Sequence, residues 1–391
     1  MTKMRLTGTT AMGIRLPIIS PGDDIANMIA DHVLQVTKSA PLASTDIIAV
    51  TEAIVAKAEK NFASEADIAA DVRAKYGVEE VGLVFPMLSR NRFLGVLKGI
   101  AAGVKKLHVL LSFPHDEVGN PIMDINRLDE IIDALPARMV SAAEFTRVAG
   151  DFNHPFTGID YIKLYKEAGD NIEIHLSNDP RDILKLTPHV LVGEIHNRNI
   201  TKSRLQKAGA KTVYTLSDIL SQSVNGSGYN NQYGVLGSNL SGEGVLKLFP
   251  NRAPDFVAKL QALLKEKSGA SPEVMVYGDG AFKDPVCGIW ELADPIVSPG
   301  HTPRLGGKPH EVKIKLIADT VAGGLSGEEK REAVAQLIKS KADNPDMYRE
   351  GTTPRVYADL LGSLCDLIGG SGDKGTPVVL VRGYFDDYTV G

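Results

Sequence analysis

A glycine-rich string near the C-terminal end is the first candidate for chemistry, because glycines let backbone amides approach a phosphate or another anion. Residues 370–375 read GSGDKG and fit the G-x-G-x-x-G pattern of dinucleotide-binding loops. That fingerprint needs a strand before the loop and a helix after it. Here a helical pattern precedes and an apolar run follows, which argues against a Rossmann loop. A plain helix-to-strand connection and a phosphate or metal loop both stay open.

Asp279 is the second candidate, because it follows an apolar run within the sequence YGDG. A carboxylate at the carboxyl end of a sheet strand is a common metal ligand or catalytic acid, and an aspartate before glycine is also typical of a turn. His154, Glu194 and His196 add polar groups that fit either a metal or substrate site or ordinary loops. The sequence has no H-x-x-x-H or H-E-x-x-H motif, so a zinc-hydrolase helix is not indicated.

The elements that must position these groups alternate between strands and helices. Apolar runs predict strands at 13–19, 46–51, 106–112, 171–176, 190–195, 211–214, 273–277, 312–317 and 378–381. Helical spacing predicts helices at 25–33, 52–59, 128–135, 161–168, 202–208, 253–265, 328–341 and 360–368. This alternation predicts a mixed α/β (α+β) protein with several domains and some parallel strand pairing.

One stretch, residues 221–241, is rich in serine, glycine and asparagine. Such a composition is typical of a flexible linker. It also suits a ligand loop, because it offers many small polar groups and free backbone amides. Composition alone leaves both interpretations open.

Length and charge restrict the class of protein. The 391 residues suffice for two or three domains of roughly 100–200 residues, and the net charge of −5 without a basic tract gives no support for nucleic-acid or anionic-membrane binding. No apolar run approaches the ~20 residues of a membrane helix, and the N-terminus lacks a secretory apolar region. Two cysteines, Cys287 and Cys365, fit a reducing compartment. We therefore expect a cytoplasmic protein that binds neither nucleic acid nor a membrane.

The segment 13–60 carries a family resemblance, in GIRLPIISPGDD followed by DIIAVTEAIVAKAEKN. It resembles the opening of the coenzyme F420-0 gamma-glutamyl ligase family, with its G-L-P-L-I strand, x-x-G-D-D turn and V-V-V-T-x-x-x-x-S-K-A-E-G segment. In that family the first strand and the lysine of the K-A-E motif contact the guanine nucleotide. The resemblance implies a catalytic role for Lys57 and nucleotide contacts for Leu16, Pro17, Ile18, Ile19, Glu52 and Lys57.

Later segments continue the resemblance in the same order. Residues 234–250 are similar to the family's G-(V/I)-D-x-S-N and L-L-P motifs, which places Asn239 on a nucleotide-contacting asparagine. Asp279 falls on the aspartate of the D-T-x-G-R-x-x-R metal motif, which implies a catalytic and metal-binding role. Residues 310–322 are similar to the family's strand and A-D-E helix, and 364–383 to L-L-M-G-(E/Q)-x-x-x-G-(I/V)-P-x-V-V-(V/I)-R-G. The last match implies nucleotide contacts for Gly370, Ser371, Gly372 and Gly375.

The resemblance implies a ligase-like core formed by residues 1–104 and 222–391, interrupted by an inserted α/β domain at 105–221 and a shorter insertion near 323–357. It also implies GTP and a divalent cation, Mg²⁺ or Mn²⁺, as cofactors, and a homodimer. The implied reaction joins glutamate to a carboxylate acceptor through an acyl phosphate.

The sequence departs from the family at the metal site. Leu236 stands where the family has a metal-binding aspartate, Gly280 where it has threonine and Ser371 where it has glutamate or glutamine. A leucine offers no oxygen to a hard cation. Replacement ligands could come from Glu243, Asp284 and Asp373. Two alternatives follow: an amide ligase for a different acceptor acid, or a non-catalytic nucleotide- or ligand-binding relative.

Overall fold

A computed structural model describes residues 6–116, 122–150, 153–154, 157–278, 281–283, 290–292, 297–320, 322–341, 356–369 and 373–389. Its strands are β1 (Thr10–Ile14), β2 (Ile47–Thr51), β3 (Phe62–Ser64), β4 (Glu80–Val84), β5 (Lys106–Leu111), β6 (Val140–Ser141), β7 (Ile172–Leu176), β8 (His189–Val192), β9 (Thr212–Thr215), β10 (Asn239–Gly242), β11 (Val245–Lys247), β12 (Glu273–Gly278), β13 (Ala281–Lys283), β14 (Trp290–Leu292), β15 (Val297–His301) and β16 (Val378–Arg382).

The helices are α1 (Ile25–Val36), α2 (Glu52–Ala58), α3 (Glu65–Tyr76), α4 (Arg90–Ala102), α5 (Leu128–Ala134), α6 (Ala142–Ala149), α7 (Tyr161–Lys166), α8 (Arg198–Lys207), α9 (Ala253–Ser268), α10 (Ile314–Thr320), α11 (Gly327–Ser340) and α12 (Tyr357–Ile368). Short 3₁₀ turns occur at Ile125–Arg127, Pro180–Lys185, Leu216–Asp218 and Pro303–Gly306. Within the described residues, no helix combines the length and the apolar character that crossing a membrane requires. The predicted mixed α/β architecture is confirmed.

The first sheet has the order β1-β16-β2-β12-β15 and joins the two ends of the chain. β2 and β12 are parallel, and β16 runs antiparallel to both of its neighbours, β1 and β2. One face packs on α1 and α9 around Ile29 and Leu260, and the other packs on α12 around Leu361. Both faces of β2 are covered, which explains why its sequence IIAVT is apolar throughout.

The second sheet has the order β6-β7-β5-β4-β8-β9, and all its strands except β6 are parallel. From β4, the strand order runs through β5 to β7 on one side and through β8 to β9 on the other. The order in which strands are added therefore reverses between β4 and β8, and such a reversal is the topological switch point of doubly wound folds. The predicted domain boundary at 104/105 falls between β4 and β5, which are hydrogen-bonded neighbours over Glu80–Val84 and Lys106–Leu110. We propose that the unit around this sheet begins with α3, before that boundary.

A small sheet is formed by β10, β11 and β3, and its strand β11 contacts both α2 and α4. The serine-, glycine- and asparagine-rich segment leads into it and is held by side-chain amides. Asn61 donates to the carbonyl oxygens of Tyr229 and Phe249, at 2.9 and 2.6 Å, and accepts from the Tyr229 amide. Asn230 accepts from the amides of Gln232 and Tyr233. The segment is therefore an ordered part of the fold and not a flexible linker, and its contact with a ligand stays a prediction.

Two predicted strands are wrong. Residues 312–317 lie mainly in helix α10, which packs on α11 through a small core of Ile317, Val334 and Ile338. Their alternating pattern was mistaken for a half-buried strand because a short helix with one buried position can show the same alternation. The first strand ends at Ile14 and not at Ile19, since Pro17 cannot donate to a strand ladder.

Candidate functional site

Four segments of the chain meet at one edge of the first sheet. The parallel strands β2 and β12 both end there, with Tyr277 opposite Thr51. β16 begins at this edge, where the Thr51 amide donates to the Pro377 carbonyl oxygen at 2.9 Å. β1 ends there too, because Ile14 lies opposite Val378. The loop after β1, the start of α2, the end of β12 and the residues just before β16 therefore lie side by side.

A buried ion pair lies at this edge. Lys247 Nζ donates to both carboxylate oxygens of Glu52, at 2.5 and 2.6 Å, and the two residues are only 7% and 4% exposed. Burial lowers the pKa of the Lys247 ammonium, against the opposing effect of Glu52. Gly278 packs on this pair, since a Cβ atom there would lie 2.0 Å from Glu52 Cγ. The glycine leaves room for the Glu52 side chain directly before Asp279.

Asn239 and Arg92 extend this cluster. Asn239 opens β10 directly opposite Lys247. Arg92, in the first turn of α4, is 4% exposed, and its charge lowers the pKa of Lys247 further. Lys247 and Arg92 therefore place two cationic side chains beside the sheet edge. Cationic side chains of this kind suit a phosphate or carboxylate ligand.

The loop after β1 contacts the last turn of α2 before it leads into α1. Leu16 is half-buried, Pro17 and Ile18 are exposed and Ile19 is buried, with Ile18 at 92% exposure. The Gly22 amide donates to the Ala58 carbonyl oxygen at 2.9 Å, which brings the end of this loop beside Lys57. Lys57 is half-buried and makes no ion pair with the described residues.

The two ends of the glycine loop, Gly369 and Thr376, pack closely against each other. A Cβ atom on Gly369 would lie 2.5 Å from the Thr376 carbonyl oxygen, and one on Gly13 would lie 3.0 Å from Thr376 Cβ. Gly375 is exposed with φ +63°, a conformation that favours glycine. Gly370, Ser371 and Gly372 lie outside the described residues. The loop thus leaves the end of α12 and returns to β16 beside the end of β1.

The described residues do not form a cation site at this edge by themselves. Leu236 is buried in the apolar core, and Glu243 is exposed at the β10–β11 turn, the far end of that hairpin from Lys247. The Glu52 carboxylate is already engaged by Lys247. Asp373 is exposed within the glycine loop. Asp279 and Asp284 lie outside the described residues, so their metal-binding role stays a prediction.

The edge described above lies within a region that matches a known family. A model of the F420-0:gamma-glutamyl ligase family matches residues 13–383, which include all four converging segments and the second sheet. The chain belongs to the F420-0:gamma-glutamyl ligase family. The resemblance seen in the sequence is thereby confirmed, and the family is one of ligases. No curated protein matches the chain closely enough to add a named relative.

This F420-0:gamma-glutamyl ligase family member has a second edge with buried polar groups, where the parallel strands of the second sheet end. His154 Nε2 lies 3.1 Å from Asp116 Oδ2, with side chains only 1% and 7% exposed. Glu194 follows β8, and burial raises the pKa of its carboxyl group. Burial also lowers the pKa of the His196 imidazole. The two histidines and Glu194 therefore lie in polar, partly buried surroundings, and their binding role stays a prediction.

Sequence reasoning missed Lys247 and Arg92. A signal for Lys247 was present, because a lysine inside the apolar run VLKLF is unusual unless a buried carboxylate neutralises it. Arg92 carried no such signal, since helix α4 itself was not predicted. Its position depends on the contact of α4 with the small sheet, where Gly95 lies against Leu246.

Proposed function

We propose that this family member is a GTP-dependent amide ligase that joins glutamate to a carboxylate acceptor. The observation that carries the proposal is the meeting of four segments at one sheet edge, beside the buried Glu52–Lys247 pair. The implied nucleotide contacts of Leu16–Ile19, Lys57, Asn239 and Gly375 all belong to those segments or to their neighbours. Segments so far apart in sequence that share one edge form a ligand site of the kind common in α/β sheets.

The proposed reaction has two steps. The γ-phosphoryl group passes to the acceptor carboxylate, which gives an acyl phosphate and GDP. The glutamate amine then attacks the acyl carbon, the C–O bond to phosphate breaks, and the nitrogen loses a proton as the amide forms. Phosphoryl transfer depends mainly on positioning and charge stabilisation. Lys57 supplies a point charge for the phosphates, and the amides of the glycine loop supply donors.

Glu52, Lys247 and Arg92 have a supporting role in this proposal. The buried carboxylate holds the Lys247 ammonium in place, and Arg92 adds a second cationic side chain beside Gly278. A divalent cation would neutralise further phosphate charge. Its candidate ligands are Asp279, Asp284 and Asp373, since Leu236 offers no oxygen and Glu243 lies at the far end of its hairpin.

We place the acceptor at the second sheet. Arg92 lies at the start of α4, which directly follows β4, and its charge acts on Lys247 at the edge of the first sheet. The carboxyl ends of both sheets are therefore linked through the first turn of α4. A site between them would let the second sheet select the acceptor acid.

We also propose that the protein is a homodimer and that it is located in the cytoplasm.

The test is a product assay with the full-length chain. The protein is incubated with GTP and Mg²⁺ or Mn²⁺, glutamate, and F420-0 or another carboxylic acid, and phosphate release and product mass are followed. The proposal expects phosphate release that requires both glutamate and acid, and a product that gains one glutamate residue. ATP in place of GTP tests the choice of nucleotide. GTP binding without turnover for every acid would support the non-catalytic alternative instead.

A further inference from the structure

A group of two histidines and one glutamate lies on the second sheet, away from the edge described above. His108 is on β5, and Glu173 and His175 are on the neighbouring strand β7. His108 and Glu173 are directly opposite each other in the parallel register, so their side chains share one face. One ligand atom from each of the three residues lies within 4.8 Å of the others.

The ring nitrogens that face this point have no hydrogen-bond partner. His108 Nδ1 and His175 Nε2 are both buried and unsatisfied among the described residues. His108 as a whole is only 3% exposed. Buried polar atoms in native proteins are nearly always paired, so two unpaired imidazole nitrogens beside one another need an explanation.

The distances to Glu173 supply one. Its Oε2 atom lies 3.5 Å from His108 Nδ1 and 4.0 Å from His175 Nε2. A tetrahedral zinc ion with bonds of about 2.0–2.1 Å holds its ligand atoms roughly 3.3 Å apart. Both Glu173 distances are therefore too long for good hydrogen bonds and somewhat longer than the spacing that one shared metal ion would impose.

The other side of the His108 ring faces a second carboxylate. His108 Nε2 lies 3.5 Å from Glu80 Oε2, the same distance that separates Nδ1 from Glu173 Oε2. A metal ion on Nδ1 would leave the proton on Nε2, where Glu80 can accept a hydrogen bond from it. A carboxylate on the distal nitrogen of a ligating histidine is also the usual second partner in zinc sites.

Lys106 and solvent complete the surroundings. Lys106 Nζ lies 3.0 Å from Glu173 Oε1, so it orients the carboxylate and leaves Oε2 for the histidines. The Glu173 side chain is 49% exposed, which gives an ion access from solvent and an open fourth position. Nitrogen ligands favour zinc-like ions over Mg²⁺ or Ca²⁺, which prefer oxygen.

We propose that His108 Nδ1, His175 Nε2 and Glu173 Oε2 bind a divalent transition-metal ion of the zinc class. This site is separate from the nucleotide cation of the proposed ligase reaction and does not depend on it. By joining β5 to β7, the ion stabilises the second sheet.

The test is zinc binding by the full-length chain after chelator treatment and dialysis. Titration with Zn²⁺ in competition with a chromogenic chelator should give one site that His108→Gln and His175→Gln abolish. Glu80→Gln should weaken it by about 10–100-fold, as expected for an outer partner of a ligating histidine. His189→Gln is the matched control, because His189 lies on β8 of the same sheet and bonds Thr212 instead.

A second variant and a second measurement keep the test decisive if the histidine variants fold poorly. Glu173→Gln changes an exposed side chain and should keep the fold, as circular dichroism would show, while it removes the zinc-dependent rise in melting temperature. Excess Mg²⁺ should not compete with Zn²⁺. Absence of a zinc site in the wild type, or equal zinc binding by wild type, Glu173→Gln and both histidine variants, would overturn the proposal.

Discussion

Lys247 and Glu52, 195 positions apart in the sequence, form a buried ion pair at the edge of the first sheet. The pair connects β11 of the small sheet to the first residue of α2. It therefore holds the small sheet against the end of β2. Breaking the pair should change both the stability of the fold and the geometry of the proposed site.

Replacing one member of this pair should be strongly destabilising. We expect Lys247→Met to lower the free energy of unfolding by about 3–5 kcal/mol, because it leaves the Glu52 charge buried without a partner. The double variant Glu52→Gln with Lys247→Met should recover much of that loss. Urea unfolding measures both. A single variant as stable as the wild type would show that Glu52 finds water or another cation.

Gly278 should not tolerate a side chain. Gly278→Ala places a Cβ atom 2.0 Å from Glu52 Cγ, so the pair or the strand must move. We expect a loss of about 1–3 kcal/mol, typical of overpacking, together with lower ligase turnover. Gly242→Ala is the matched control, since a Cβ atom there meets nothing within 4 Å. Equal stability of the two variants would contradict the close packing described.

Lys57 should act mainly through nucleotide binding. Loss of a charge-assisted hydrogen bond of about 1.5–3 kcal/mol corresponds to an increase of about 10- to 150-fold in Kd for GTP in Lys57→Ala. Lys265→Ala, on an exposed position of α9, controls for the loss of one positive charge. Isothermal titration measures both. An unchanged Kd in Lys57→Ala would remove this residue from the site.

Asp279 should be required for cation-dependent turnover. We expect Asp279→Ala to abolish the Mg²⁺- or Mn²⁺-dependent reaction while the protein stays folded. Glu243→Ala should leave turnover unchanged, because Glu243 lies at the exposed hairpin turn. Phosphate release at several cation concentrations separates the two variants. A shift of the requirement to Glu243 would reverse this assignment.

Glu194 should make stability depend on pH. Burial raises the pKa of this carboxyl in the folded state, so the folded protein favours the protonated form. Its contribution to stability is complete below the ordinary pKa of about 4.3 and is lost as pH rises through the folded-state pKa. Glu194→Gln should therefore gain stability relative to wild type at pH 8, and the gain should shrink toward pH 4. Melting curves across this range provide the check, and a constant difference would contradict it.

The sequence predicted β2, β12 and β16 of the first sheet and β5, β7, β8 and β9 of the second. β2, β12 and β16 are buried on both faces and appear as short apolar runs, which periodicity detects well. Helices α3 and α4 were missed, because the apolar stripe of α3 is narrow and interrupted by charged residues, and α4 contains two glycines. The Asn239–Lys247 and Glu52–Lys247 contacts depend on strand register and tertiary packing, which no local pattern encodes.

The position of β16 has a consequence for the order of folding during synthesis. This strand lies between β1 and β2, so these two strands lack their shared neighbour until residues 378–382 have been synthesised. β4 to β9 are contiguous in sequence and can complete the second sheet much earlier. Domains generally fold as units as they emerge, and unpaired strand edges expose a chain to aggregation. The second sheet can thus be complete while β1 and β2 are still without β16, and a truncation before Val378 would remove the strand that joins them.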